Sequence, residues 1–192
     1  MEAKIIGVGG IGSWLVDELT RLSEAGVHDY MLTVYDDDLI ECKNIKQLQN
    51  YSLEDIGRPK VLSLCERYPV LGICERAFPA EDDLAEGKGD LKADFVFLCV
   101  DNDNTRAKMI KELEATRTPY LDCRASGRRV LVTSNSQKFT DEGDLVSYSC
   151  QEEIDNERGH LQLGFKIAAI VASQMFLNHI RGHENQTFFK VI

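Results

Sequence analysis

Apolar and polar positions along the chain fall into short runs and helical periods, starting with the apolar run Lys4 to Val8. A run this short reads as a strand. It passes into a glycine-rich turn, Gly7-Val8-Gly9-Gly10-Ile11-Gly12-Ser13. From Ile11 the apolar positions Ile11, Trp14, Leu15, Leu19 and Leu22 recur at helical spacing until Ala25-Gly26 ends the pattern. Met31 to Tyr35 predicts a second strand that runs straight into Asp36-Asp37-Asp38. Strand, helix and strand in this order make a β-α-β unit with an acidic end.

The stretch from Leu39 to Pro59 is polar and irregular. Val61, Leu62, Leu64, Cys65 and Tyr68 then mark another helix, and an extended segment around Ile73 to Phe78 returns to the sheet. Ala80 to Lys92 is charged and carries glycine, the composition of a surface connection. Phe95 to Val100 is apolar throughout, as a strand buried on both faces must be, and Asp101-Asn102-Asp103-Asn104 follows at its carboxyl end. A helix from about Thr105 to Ala115 and a strand Tyr120 to Cys123 come next. After Gly127 shorter alternating pieces, Val130 to Thr133 and Leu145 to Tyr148, predict antiparallel strands. Leu161 to Ile180 predicts a long helix packed on the sheet, and Phe188 to Ile192 a last strand. The fold class is therefore α/β, a Rossmann-like doubly wound, largely parallel sheet with antiparallel strands added in the C-terminal part.

Composition narrows the partners. A length of 192 residues fits one domain spanning 1–192. The formal net charge of −10, from 32 acidic against 22 basic residues, repels a nucleic-acid backbone or an anionic membrane. Six cysteines without a Cys-x-x-Cys pair predict neither a structural zinc nor a disulfide scaffold. With no secretory pattern and no apolar run of about 20 residues, the expected compartment is the cytoplasm.

Two features carry chemistry on physical grounds alone. Gly7, Gly9, Gly10 and Gly12 let the backbone turn tightly against a ligand, while the free N–H groups of the following helix attract phosphate. Asp36, closing the second strand, stands where a β-α-β nucleotide site places the carboxylate that accepts ribose hydroxyls. A nicotinamide-dependent oxidoreductase would explain both equally well. Asp101 gains weight from its position, because open α/β sheets bind ligands at the carboxyl ends of their strands.

The segment after Asp36 separates the readings. Asp36 and Asp38 stand as Asp-x-Asp, Asn44-Ile45-Lys46-Gln47 follows, then Gly57-Arg58-Pro59-Lys60, and Asp101-Asn102 with Thr105 and Arg106. In this order, over roughly the first 110 residues, the chain resembles the ThiF/MoeB-like adenylating domains, which are related to ubiquitin-activating enzymes. It departs from their Asn-Leu-x-Arg-Gln pattern by one missing residue and by Lys in place of Arg.

The resemblance implies an ATP-dependent adenylyltransferase that activates a carboxylate, expected to be the C-terminal glycine of a ubiquitin-like or sulfur-carrier protein, with ATP and Mg²⁺ as cofactors. It implies catalytic roles for Lys60 on the phosphates, Lys46 on the leaving pyrophosphate and Asp101 on Mg²⁺. Asp38, Asn44, Gln47 and Asn102 would join the glycines and Asp36 in binding the nucleotide. Relatives act as dimers, so a homodimer or a heterodimer is implied, and a catalytically silent partner subunit is the alternative. Many relatives also donate an arginine from an N-terminal extension that has no counterpart before Lys4. Arg124, Arg128 and Arg129 are conceivable substitutes that read more simply as structural or surface charges. Cys123 and Cys150 are the candidates for a thioester; Cys42, Cys65, Cys74 and Cys99 read as packing residues.

Overall fold

The computed structural model describes residues 1–68, 71–75, 91–126, 129–134, 163–184 and 188–191. Its seven strands are β1 (Glu2–Ile6), β2 (Met31–Tyr35), β3 (Leu71–Glu75), β4 (Phe95–Leu98), β5 (Tyr120–Ser126), β6 (Arg129–Ser134) and β7 (Phe188–Val191). They form one sheet in the order β3-β2-β1-β4-β5-β6-β7. The first five are parallel, and β6 and β7 are added antiparallel. The sheet is thus the doubly wound, largely parallel kind that the apolar pattern predicts. The predicted strand at Leu145 to Tyr148 lies outside the described residues.

Helices cover both faces. On one, α1 (Gly10–Glu24), α3 (Lys60–Arg67) and α5 (Gly164–Ile180) bury Leu15, Leu19, Val61, Leu64 and Phe176 against Ile5, Val34 and Phe97 of the strands. The ring of Phe176 lies 4.9 Å from that of Phe95 and 5.2 Å from that of Phe97, the range of favourable edge and tilted aromatic contacts. On the other face α4 (Asp103–Thr116) packs Met109 and Leu113 on Ile6, Val96, Leu98 and Tyr120. Because successive side chains point to opposite faces, Ile5 and Ile6 serve the two layers in turn.

The chain winds outward from β1 to β3 and then crosses back to β4, so the strand order reverses between β1 and β4. That reversal leaves a crevice at the carboxyl ends of the strands. Register makes it level: Ile6 pairs with both Tyr35 and Leu98, so Gly7, Asp36 and Cys99 leave the sheet side by side. Gly7 N–H still donates to Tyr35 O at 2.8 Å, and Cys99 N–H to Ile6 O at 2.8 Å.

Several boundaries differ from the predicted ones for local reasons. β1 ends at Ile6 rather than Val8 because Gly7 turns out of the strand with φ of +87°. α4 begins two residues early because the Asn102 side chain accepts from the N–H groups of Asn104 and Thr105 at 2.9 and 3.0 Å, capping the helix. The stretch read as irregular contains α2 (Cys42–Lys46) and a 3₁₀ turn (Leu53–Asp55). Both are closed by reciprocal caps, Glu41 with Asn44 and Ser52 with Asp55, which local composition favours without any apolar period. Among the described residues no helix is long and apolar enough to cross a membrane.

Candidate functional site

At Gly7, Gly10 and Gly12 the glycine loop is built by contacts that admit no side chain. A Cβ on Gly7 would stand 2.9 Å from Cys99 O, and one on Gly10 would stand 2.8 Å from the Phe165 ring. One on Gly12 would stand 2.0 Å from Gly7 O. The loop is therefore folded back on the first turn of α1. Gly9 precedes that helix without a side-chain cap, and its first turn carries no acidic residue. The N–H groups there stay available to an anion.

Asp36 ties the loop to the rest of the rim. Its Oδ2 accepts from Val8 N–H at 2.8 Å, and its Oδ1 from Asp38 N–H at 3.0 Å. Lys60, the first residue of α3, reaches both acids: its Nζ lies 2.6 Å from Asp38 Oδ2 and 3.4 Å from Asp36 Oδ1. Burial alone would lower the Lys60 pKa, but the facing charges of Asp36 and Asp38 outweigh it and hold the ammonium above its usual range. Burial raises Asp36, outweighing the Lys60 charge and the bonds from Val8 and Asp38 N–H, and the Asp38 charge adds to the rise. A carboxylate offers about four lone-pair positions, so with three donors already in place Asp36 can accept about one more hydroxyl while Lys60 stays where it is.

These groups face one cleft of about 630 Å³ at the switch point, within the range of small-molecule sites. Its lining brings together Gly7, Gly9, Gly10, Asp36, Asp38, Asn44, Gln47, Lys60 and Asp101 from the sequence-derived set. Gly12 lies beneath the loop, Asn102 is engaged as the cap of α4, and Lys46 is exposed at the end of α2; none of the three lines the cleft. Asn44 spends its side-chain oxygen on Glu41 N–H at 2.7 Å, which leaves its amide N–H₂ for the cleft. Asp36, Asp37 and Asp38 each place a carboxylate oxygen within 4.8 Å of the others, a set of hard donors suited to Mg²⁺ or to a hydroxylated ligand.

Several residues that sequence reasoning missed also shape the site. Lys43 and Gln49 line it. The Tyr51 hydroxyl donates to Val8 O at 2.6 Å, and burial pushes its phenol well up, so it stays a donor. Trp14 Nε1 donates to Leu48 O at 2.8 Å, while Asn50 Nδ2 donates to Ser13 O at 3.1 Å. These bonds bind the segment after α2 to the start of α1 and so fix Gln47 and Gln49 beside the glycine loop. No periodicity announces them, since each bond joins side chain to backbone across 34 to 43 residues of sequence.

The return to Lys60 is fixed by Asp55. Its Oδ1 accepts from Ser63 Oγ at 2.6 Å, and its Oδ2 from Ser52 N–H and Oγ at 2.8 Å and from Arg67 at 2.6 Å. Burial works against the ionised carboxylate, yet the bonds from Ser63 and Ser52 and the charge of Arg67 outweigh it and lower the pKa to about 2. The folded pKa lies below the ordinary 3.8, so this contribution to stability is present above that pH and is lost as pH falls through about 2. An Asp55→Asn chain is expected to be less stable at neutral pH by on the order of 1 to 2 kcal/mol, with the gap to the native chain closing in acid. Urea unfolding of both chains across a pH series measures it.

At the far rim Arg106 is buried and pairs with Asp122, and it also donates to the Val100 carbonyl. Arg124 forks onto Asp122 from the other side at 2.8 and 2.7 Å, a structural engagement within β5. Arg128 lies outside the described residues, as does Cys150. Cys123 is wholly buried; its hydrogen bond with Cys99 and its burial push the thiol far up, against the thiolate that thioester chemistry requires. Cys65 packs against the core, and it is also disulfide-bonded, which its reading as a plain packing residue did not include.

Solved structures share this fold. The structure of E. coli MccB with MccA-N7isoASN is 16% identical, with a TM-score of 0.68 over 99% of this chain and 64% of that one. E. coli MccB with ATP is 18% identical, with a TM-score of 0.66 over 99% of this chain and 63% of that one. PaaA is 15% identical, with a TM-score of 0.63 over 100% of this chain and 64% of that one. The chain thus spans less than two thirds of the length of these proteins, and at such identities the likeness shows the fold. A sequence model of one family matches residues 1–185, and on that match across nearly its whole length the chain belongs to the ThiF family.

Proposed function

We propose that this chain adenylates a carboxylate with ATP and releases pyrophosphate. The observation that carries the reading is the convergence of the glycine loop, Asp36 and Asp101 around one cleft at the switch point of the sheet. In this reaction a carboxylate oxygen bonds to the α-phosphorus while the bond to the bridging oxygen breaks, and both electrons leave with pyrophosphate. The enzyme must hold the attack in line and offset the growing charge. The loop N–H groups hold phosphate, Asp36 takes a ribose hydroxyl with Lys60 holding it and Asp38 in place, and the amides of Asn44 and Gln47 donate into the same cleft. The carboxylates of the rim are hard oxygen donors that fit Mg²⁺; Asp101 would hold it, and the ion would neutralise phosphate charge.

The likeness to MccB structures crystallised with ATP and with MccA supports a nucleotide and a polypeptide substrate. The C-terminal glycine of a ubiquitin-like or sulfur-carrier protein is the substrate that the family resemblance favours. Dimerisation, and action in the cytoplasm, belong to the same proposal. Exchange of labelled pyrophosphate into ATP with a panel of carrier proteins and peptides tests it; ATP binding without exchange on any of them would count against catalysis. The second reading, a catalytically silent partner subunit, is favoured by Lys46 standing outside the cleft. Asp101→Ala separates the two. Asp101 is exposed and makes no hydrogen bond or ion pair among the described residues, so its loss leaves the fold intact. An enzyme is expected to lose about a hundredfold in exchange rate, whereas a silent partner keeps its effect on the active subunit.

A further inference from the structure

We propose that Lys43, in the first turn of α2, is the cation that holds the terminal phosphates of ATP. The inference rests on the reading of the cleft as an ATP site and gives that site the residue which the family pattern placed at Lys46. Four carboxylates line the cleft, Asp36, Asp37, Asp38 and Asp101, against two cations among the described residues, Lys43 and Lys60. A triphosphate entering such a rim needs positive charge beyond the backbone N–H groups. Lys60 cannot supply it freely, because its ammonium is buried between Asp36 and Asp38. Lys46 is exposed and does not reach the lining.

Lys43 has what the task requires. Its side chain is 61% exposed, and its ammonium lies 3.1 Å from Glu41 Oε2, itself 60% exposed. An exposed pair of this kind is weak enough to give way to a phosphate. The backbone beneath it is fixed, since Glu41 and Asn44 cap α2 from both sides. An exposed ammonium on a fixed backbone is free to turn from Glu41 toward the phosphates of a nucleotide in the cleft.

Calorimetric titration of the full chain with MgATP and with AMP tests this. The native chain is expected to prefer ATP. Lys43→Met is expected to weaken ATP binding about tenfold and to leave AMP binding unchanged, with Lys43→Arg restoring most of the loss. Lys46→Met is expected to change neither. The proposal is overturned if Lys43→Met keeps the native preference for ATP, or if Lys46→Met abolishes it to the same degree. A native chain that binds neither nucleotide would instead overturn the ATP reading, and this assignment with it. Lys43 is a surface residue, so an unaltered melting midpoint shows that each variant reports on binding.

Discussion

Gly12→Ala is expected to cost on the order of 3 kcal/mol or more and to remove ATP binding with it. The added methyl would lie 2.0 Å from Gly7 O, and the obstacle is backbone. A flexible side chain could swing aside, but Gly7 cannot retreat. Its own position is held by the N–H bond to Tyr35 O and by close packing against Cys99 O. The clash would have to be relieved by moving the loop off the start of α1, which withdraws the N–H groups proposed to receive phosphate.

Gly9→Ala provides the contrast. Its Cβ would meet nothing within 4 Å, so the fold should barely change. The methyl would still narrow a residue that lines the cleft, so nucleotide affinity should fall while the melting midpoint stays. Thermal unfolding and calorimetric titration of the two variants together read the difference. Equal stability of Gly12→Ala and the native chain would mean that the loop is not folded on the helix as described.

How far the site was legible depended on which forces fixed each part. The glycine loop, Asp36 and Asp101 were readable because apolar periods locate strand ends, and strand ends in a parallel sheet share one rim. Asp36 follows Tyr35 and Gly7 follows Ile6 whatever the side chains nearby do. The rim contributed by residues 41–51 was another matter. There a one-turn helix and a 3₁₀ turn are set by caps, and their direction is set by Tyr51, Trp14 and Asn50 bonding to α1. Nothing periodic records such bonds, so which of Lys43 and Lys46 lines the cleft could not be read from the sequence. Asn102 has a structural role that its place beside Asp101 in the motif did not announce: its side-chain oxygen caps the start of α4.

Asp36→Ala should be the most damaging change that leaves every glycine in place. The carboxylate holds three groups at once, Val8 N–H, Asp38 N–H and the Lys60 ammonium. Deleting it strands a buried backbone donor and leaves Lys60 with Asp38 alone, at a cost of about 3 kcal/mol. The same change removes the proposed acceptor for ribose and frees the loop at Val8, so ATP and AMP should both bind at least about a hundredfold more weakly. That joint loss sets it apart from Lys43→Met, which should spare AMP. Asp36→Asn keeps the shape and one acceptor but loses the charge facing Lys60, and should fall between the native chain and Asp36→Ala in both stability and affinity. If Asp36→Ala bound AMP as well as the native chain does, the sugar would have to lie elsewhere than at the end of β2, and the assignment of the phosphates to the glycine loop would lose its anchor.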